Sequence, residues 1–270
     1  IIADQVPALD QLGLPEGCKR LTQYADGLVL ITGPTGSGKT TTMMAVIDEL
    51  NSTREGHILC LEDPLEHVIQ PKVCQVTQRE IGTHTAGYST AIHSMLREDA
   101  DILVFGEITD SECALQALAA AESGLLVFAT IAAPDCAHAI DRLTETSGDA
   151  QVIRSLVGDY LRILLAQQLI PSLDGQRQFV ACELLINSIS VANIIRESKT
   201  QSLVNVMQTG KALGIIMLDD SLRTLVEEKH ISGEQAFSRC KNKAIFKQYL
   251  PQPEKPAETA KPAEPAPAKG

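Results

Sequence analysis

One short segment near the start of the chain constrains the fold more than any other. It reads Gly33-Pro34-Thr35-Gly36-Ser37-Gly38-Lys39-Thr40 and fits the pattern G-x-x-x-x-G-K-[ST] in full. An apolar run at 27–32 precedes it, and a helical pattern at 39–50 follows it. Because this pattern holds phosphate where a strand runs into a helix, the segment predicts a buried parallel strand that ends in an anion-binding loop.

Each part of this loop has a physical role in binding a nucleoside triphosphate. Glycines let backbone N–H groups approach phosphate oxygens without a Cβ in the way. The helix that starts at Lys39 points its positive end at the same anion. Lys39 supplies a point charge to the β- and γ-phosphates, and the Thr40 hydroxyl is a candidate ligand for Mg²⁺. We therefore predict that residues 33–40 bind ATP together with Mg²⁺.

Strand and helix patterns alternate through most of the chain. The strand patterns lie at 57–62, 74–78, 101–106, 125–131 and 178–186. The helical patterns lie at 87–98, 111–122, 135–145 and 150–168. This alternation indicates an α/β fold, a doubly wound and mostly parallel sheet with helices on both faces.

The pattern becomes helical only after residue 187. The helical segments are 188–208, 217–228 and 233–248. Residues 251–270 are rich in Pro, Ala, Glu and Lys, and such a segment cannot bury enough apolar surface to fold. We therefore predict an ATPase domain over 1–187, a helical subdomain over 188–250 and a disordered tail over 251–270.

Two glutamates follow apolar strand patterns at the edge where the loop is expected. Glu62 ends the strand pattern at 57–62, and Glu107 follows the pattern at 101–106. The carboxyl ends of parallel strands share one edge, so both carboxylates are expected to face the terminal phosphate. One would orient or deprotonate the attacking water, and the other would hold Mg²⁺ directly or through water.

Charge and composition exclude several other classes of protein. The formal net charge of -11 argues against a face for general nucleic-acid binding. No apolar run approaches the roughly 20 residues that span a bilayer, so no membrane insertion is expected. The chain starts with Ile1 rather than Met, which favours a fragment or a processed product. Its seven cysteines lack C-x-x-C spacing and predict small buried thiols in a reducing cytosol.

Several stretches of the chain resemble the PilT-type ATPases of the type IV pilus and type II secretion superfamily. These stretches are 27–40, 62–66, 78–82, 96–101, 121–124, 140–142, 193–200 and 207–211. The resemblance covers roughly residues 8–248. It implies a RecA-like P-loop fold followed by a small helical domain. It also implies that Glu62 and Glu107 are the catalytic carboxylates, with Thr40 and Glu107 at the Mg²⁺ ion.

The resemblance further implies partners and a location. Members of this family form hexameric rings on the cytoplasmic side of the inner membrane, at the pilus base, and couple ATP hydrolysis to pilus disassembly. The expected partners are therefore other copies of the chain, or a paralogous ATPase in a mixed ring, and an inner-membrane platform protein of the pilus.

The chain departs from the family at several positions. Leu125 and Ala132 stand where the family has two histidines, which the resemblance places at the γ-phosphate. Thr109 and Ala192 stand where arginines are usual. The N-terminal PAS-like domain of the family is not part of this sequence. These departures predict slower hydrolysis more than weaker nucleotide binding.

Other functions in the same superfamily stay open at this point. One alternative is an accessory or regulatory ring subunit that binds ATP but hydrolyses little. Another is an assembly or secretion ATPase, although the turn between Pro171 and the strand pattern at 178–186 is too short for the zinc insertion typical of that class. A DNA-translocating relative is disfavoured by the acidic net charge.

Overall fold

A computed structural model describes residues 6–95, 98–145 and 150–250 of the chain. Within these ranges seven strands form one sheet in the order β3-β2-β4-β5-β1-β6-β7. The strands are β1 (Gly27–Thr32), β2 (His57–Glu62), β3 (Gln75–Glu80), β4 (Ile102–Phe105), β5 (Leu126–Ile131), β6 (Leu161–Pro171) and β7 (Gln178–Ile186). Neighbouring strands are parallel, except that β6 and β7 are antiparallel. The predicted α/β class is therefore confirmed.

Ten α-helices accompany the sheet over the same ranges. They are α1 (Lys39–Thr53), α2 (Tyr88–Met95), α3 (Ser111–Glu122), α4 (Cys136–Glu145), α5 (Ala150–Tyr160), α6 (Ile189–Arg196), α7 (Leu203–Thr209), α8 (Leu218–Glu227), α9 (Gly233–Arg239) and α10 (Lys243–Phe246). Short 3-10 helices lie at Leu9–Leu12, Glu16–Thr22, Thr200–Ser202, Gly210–Leu213 and Lys247–Tyr249. No helix in the described part of the chain combines the length and apolar character that crossing a bilayer requires.

The inner strand β1 shows why the apolar run at 27–32 becomes a strand. All of its residues are buried, as expected for a parallel strand covered on both faces. It lies between β5 and β6, and its carboxyl end leads directly into the glycine-rich loop. The fold thus places the predicted anion-binding loop at the edge of the sheet where β1 ends, between neighbouring strands on both sides.

The predicted helix at 150–168 is wrong in its second half. Helix α5 ends at Tyr160, and the chain continues at once as β6, which pairs with β1 and β7. Residues 161–168 consist of Leu, Arg, Ile, Ala and Gln, and most of these favour helix when isolated. Pairing on both sides and burial of Ile163 and Leu165 outweigh that preference, because strand formation is decided by tertiary context.

Buried apolar side chains form two clusters in the described residues. The larger cluster surrounds the sheet and includes Val191 and Ile195 of α6. The smaller cluster joins α8 and the segments after it to β6 and β7, with Phe246 among its fully buried members. The predicted boundary at residue 187 therefore stays a prediction, and the predicted tail at 251–270 lies outside the described residues. All seven cysteines are buried and free, as expected.

Candidate functional site

The predicted loop and both predicted glutamates lie at one edge of the sheet. The loop follows β1, Glu62 is the last residue of β2, and Glu107 lies just after β4. A cavity of about 510 Å³ opens at this edge. Its lining residues are Thr35, Gly36, Gly38, Lys39, Thr40, Thr41, Met43, Glu62, Asp63, Pro64, Glu66, Gly106, Glu107, Thr130 and Leu169. The remaining loop residues, Gly33, Pro34 and Ser37, are not among them.

The start of the loop requires glycine because the chain is crowded there. A Cβ on Gly33 would lie 2.3 Å from Ser37 Oγ and 2.4 Å from the carbonyl oxygen of Gln167. Further along, Gly36 has a φ of 76°, in the left-handed region that favours glycine. The backbone therefore turns tightly between β1 and α1, as a phosphate-binding loop must.

Polar groups of the loop fit an anion. Lys39 Nζ donates hydrogen bonds to the carbonyl oxygens of Gly33 (3.1 Å) and Pro34 (3.3 Å), so the ammonium lies against the loop. Helix α1 begins at Lys39 and points its positive end at the cavity. Ser37 Oγ is buried and has no hydrogen-bond partner within the described ranges. These groups match the donors that a triphosphate needs.

Gln167 supports the loop, although the sequence did not predict it. This buried residue of β6 donates from Nε2 to the carbonyl oxygen of Ser37 at 2.7 Å. The strand next to β1 thereby holds the loop in place. Sequence reasoning missed Gln167 because it assigned residues 161–168 to a helix, in which this side chain would not lie beside the loop.

Glu62 is the more buried of the two glutamates, with 2% of its surface exposed. Its Oε1 accepts a hydrogen bond from Gln78 Nε2 at 3.0 Å, and its Oε2 accepts one from the backbone N–H of Glu66 at 3.4 Å. Burial raises the pKa of this carboxyl, and both hydrogen bonds act in the opposite direction. A carboxylate with a raised pKa is suited to accept a proton near neutral pH.

Glu107 is exposed at the mouth of the same edge. The backbone around it is fixed by β5. The Thr130 hydroxyl donates to the carbonyl oxygen of Gly106 at 2.5 Å, and the N–H of Ile108 donates to the carbonyl oxygen of Thr130 at 2.8 Å. A Cβ on Gly106 would lie 3.3 Å from the Cα of Glu62, so glycine lets the two strand ends approach.

Ala132 and Leu125 lie at opposite edges of the sheet. Ala132 follows β5 at the edge of the cavity, whereas Leu125 precedes β5 and its carbonyl oxygen accepts from the N–H of Gly27, the first residue of β1. Six residues of β5 separate the two positions, about 20 Å of strand. Within a single copy of the chain, Leu125 lies at the edge of the sheet opposite the cavity. The expectation that this position faces the γ-phosphate is therefore wrong. The Thr109 hydroxyl bonds Asp110, at the start of α3.

Comparison with known proteins identifies a family and several relatives. The profile of the family described as type II/IV secretion system protein matches residues 8–251. The type IV pilus retraction ATPase PilT of Pseudomonas aeruginosa is 41% identical over 242 residues, which cover 89% of this chain and 70% of that protein. The twitching motility protein of Neisseria gonorrhoeae is 39% identical over 243 residues, which cover 89% of this chain and 65% of that protein.

A solved structure shares the fold as well as the sequence. The crystal structure of the pilus retraction motor PilT with bound ADP superposes with a TM-score of 0.83 at 34% identity, and the match covers 91% of this chain and 70% of that one. The fold of this chain is therefore that of a relative whose structure contains bound ADP.

Proposed function

The chain belongs to the type II/IV secretion system protein family as a PilT-type ATPase, and we propose that it is the ATP-hydrolysing core of a pilus retraction motor. One observation carries this proposal. Residues 35, 36 and 38–40 of the loop line a single cavity together with Glu62 and Glu107, so a bound triphosphate would meet both carboxylates. The chain spans about two thirds of the relatives that it matches, and the work done on a pilus is inferred from their names.

The residues of the cavity have distinct roles in this proposal. The loop at 33–38 and Lys39 would hold the phosphates, with charge and backbone N–H groups directed at them. Thr40 and Glu107 would hold Mg²⁺, directly or through water, together with phosphate oxygens. When bound, the ion neutralises charge on the terminal phosphate. Glu62 would orient the attacking water and accept its proton, because it is the buried carboxylate with a raised pKa.

The partners and location are proposed on the same basis. Because the family that this chain resembles forms hexameric rings, we propose a ring of copies of this chain or a mixed ring with a paralogous ATPase. The platform protein of the pilus in the inner membrane is the proposed contact on the membrane side. The negative net charge disfavours nucleic acid as a substrate.

Phosphate release by the purified full chain tests the proposal. We expect Mg²⁺-dependent release from ATP, which Glu107→Gln lowers by about 100-fold or more, because this variant removes a charged group proposed to hold the ion. Glu112→Gln is the matched control, because Glu112 is an exposed residue of α3 that does not line the cavity. Release by the unaltered chain that does not exceed release by Glu107→Gln would refute the proposal. Calorimetry with ATP separates a failure to bind from a failure to hydrolyse.

A further inference from the structure

Gln78 lies beside Glu62 because of the register between two parallel strands. In this register Cys60 pairs with Gln78 and Glu62 pairs with Glu80. Side chains alternate between the two faces of a sheet, so residues 60 and 62 share a face, and residue 78 lies on that face as well. The Gln78 amide therefore reaches Glu62 from the neighbouring strand, with 3.0 Å between Nε2 and Oε1.

Two backbone groups fix the orientation of the Gln78 amide. The N–H of Ile69 donates to Oε1 at 2.8 Å, and Nε2 donates to the carbonyl oxygen of His67 at 2.8 Å. A backbone N–H can only donate and a backbone carbonyl can only accept, so the two ends of the amide cannot exchange. The second N–H of Nε2 is then directed at Glu62, whose oxygen must act as an acceptor.

These hydrogen bonds join the loop at 63–74, which connects β2 to β3, to the Gln78 side chain of β3. The loop supplies both His67 and Ile69, and it also supplies the Glu66 N–H that donates to the second oxygen of Glu62. Both carboxylate oxygens of Glu62 are thus held, one by a side chain whose own position is set by the backbone. Such support from surrounding hydrogen bonds fixes the angle at which a reactive group meets its target.

We propose that Gln78 is a positioning residue for ATP hydrolysis, which holds the Glu62 carboxylate in one orientation against the cavity. This inference rests on the proposed function, in which Glu62 acts on the attacking water. Gln78 also favours the charged carboxylate, because its N–H needs an acceptor, whereas burial favours the neutral form. Other ionisable groups lie around Glu62: Cys60 on the same strand, Glu80 paired with it on β3, Asp63, Glu66 and His67 of the loop, and Lys39 and Glu107 of the cavity.

Gln78→Met tests the proposal, because methionine has a similar length and no amide. We expect kcat to fall by about 10- to 100-fold with little change in KM for ATP. We also expect the acid limb of the pH–rate profile to move to higher pH, since Glu62 loses a donor that favours its charged form. Gln75→Met is the matched control, because Gln75 is an exposed residue of the same strand. Gln78→Glu keeps the side-chain length but places a second carboxylate beside Glu62. It is therefore also expected to move the acid limb of the pH–rate profile to higher pH.

A double variant distinguishes a positioning role from a merely structural one. In a Glu62→Gln background, Gln78→Met should cause almost no further loss of kcat, because its effect passes through Glu62. A loss of the same size in both backgrounds, or an unchanged kcat and pH profile in Gln78→Met and Gln78→Glu, would overturn the proposal.

A measurement that does not depend on ATP hydrolysis tests the effect of Gln78 on Glu62 separately from the proposed function. The carboxyl carbon of Glu62, labelled with ¹³C and assigned by its loss in Glu62→Gln, reports the ionisation of that residue directly by NMR. We expect its titration to move to higher pH in Gln78→Met. If the unaltered chain released no phosphate, the proposed function would fail, and this titration would still decide the effect of Gln78 on Glu62. An unchanged titration in a folded Gln78→Met protein would contradict that effect.

Discussion

Lys241→Met is expected to weaken the contact between the C-terminal helices and the sheet. Glu183 lies on β7 with 3% of its side chain exposed, and its Oε2 lies 2.7 Å from Lys241 Nζ. The other oxygen accepts a hydrogen bond from the N–H of Cys136 at 3.1 Å. Lys241 Nζ also lies 3.2 Å from Asp135 Oδ2. Because Lys241 follows α9, this one ammonium joins the smaller cluster of the fold to β7 and to the start of α4.

The burial of Glu183 and Lys241 determines how far the free energy of unfolding should fall in Lys241→Met. The variant leaves the Glu183 carboxylate buried with a single hydrogen bond, and removing one partner of a fully buried ion pair costs about 3–5 kcal/mol. The Lys241 side chain is 39% exposed, so water screens part of the interaction. We therefore expect the free energy of unfolding to fall by about 2 kcal/mol. Glu183→Gln should cost less, about 1 kcal/mol, because the lysine keeps Asp135 and water as partners.

Urea unfolding followed by far-UV circular dichroism measures these changes, since the chain contains no Trp to report by fluorescence. The double variant Lys241→Met with Glu183→Gln should lose less stability than the sum of the single variants. Lys247→Met, at an exposed lysine of the same region, is the control. A larger loss in Glu183→Gln than in Lys241→Met would refute the reasoning, because it would mean that burial does not set the cost.

The difference in the free energy of unfolding between the unaltered chain and Lys241→Met should depend on pH, because the pKa values of Lys241 and Asp135 are shifted. The pKa of Lys241 is raised, since burial alone would lower it but Glu183 and Asp135 outweigh burial. The stability that Lys241 contributes is fully present below its unfolded pKa of 10.5. It is lost as pH rises through the raised pKa of the folded state. The pKa of Asp135 is lowered, because hydrogen bonds from His138 and the charge of Lys241 outweigh burial. Its contribution is lost as pH falls below the unfolded value of 3.8, so the difference between the two proteins should be largest near neutral pH.

Two further substitutions test the loop and the start of α3. Gly33→Ala places a Cβ 2.3 Å from Ser37 Oγ, so the loop must shift. The affinity for ATP, measured by calorimetry, should therefore fall by at least about tenfold. An unchanged affinity would mean that the loop accommodates the Cβ and that glycine is not required at this position. Asp110→Ala removes the side chain that caps α3 by accepting from the N–H of Cys113 at 2.9 Å, and should cost about 1 kcal/mol at pH 7 in urea unfolding. The pKa of Asp110 is lowered, chiefly by that N–H, so this loss should disappear as pH falls below the unfolded value of 3.8.

The parts of the site that depend on local chemistry were predictable from the sequence. The octapeptide at 33–40 specifies a turn, a charge and a helix start within a single segment, and the structure forms all three. Strands β1, β2, β4 and β5 were predicted to within a residue, because buried parallel strands are short continuous apolar runs. The parallel sheet then implied that Glu62 and Glu107 share an edge, and both line one cavity.

The parts that depend on contacts between distant segments were not predictable. Gln167 and Gln78 contact the loop and Glu62 only because β6 lies beside β1 and β3 lies beside β2. The sequence marks Gln78 only as the first residue of the family-like stretch 78–82, without a role, and no feature of the neighbouring sequence marks Gln167. The error at Leu125 has another origin, since that residue precedes an apolar run and Ala132 follows it. The two ends of one strand must lie at opposite edges, so this placement could have been deduced from the pattern alone.

The two carboxylates at the cavity are not interchangeable, because their surroundings differ. Glu62 is almost fully buried, and hydrogen bonds hold both of its oxygens before any substrate binds. Its pKa is raised by burial, which brings its proton affinity closer to what a base needs at neutral pH. Glu107 is exposed on a short segment beyond β4, where a side chain can adjust to a hydrated cation. The difference in burial therefore supports our proposal that Glu62 transfers the proton and Glu107 holds the ion, two roles that the strand pattern alone left open.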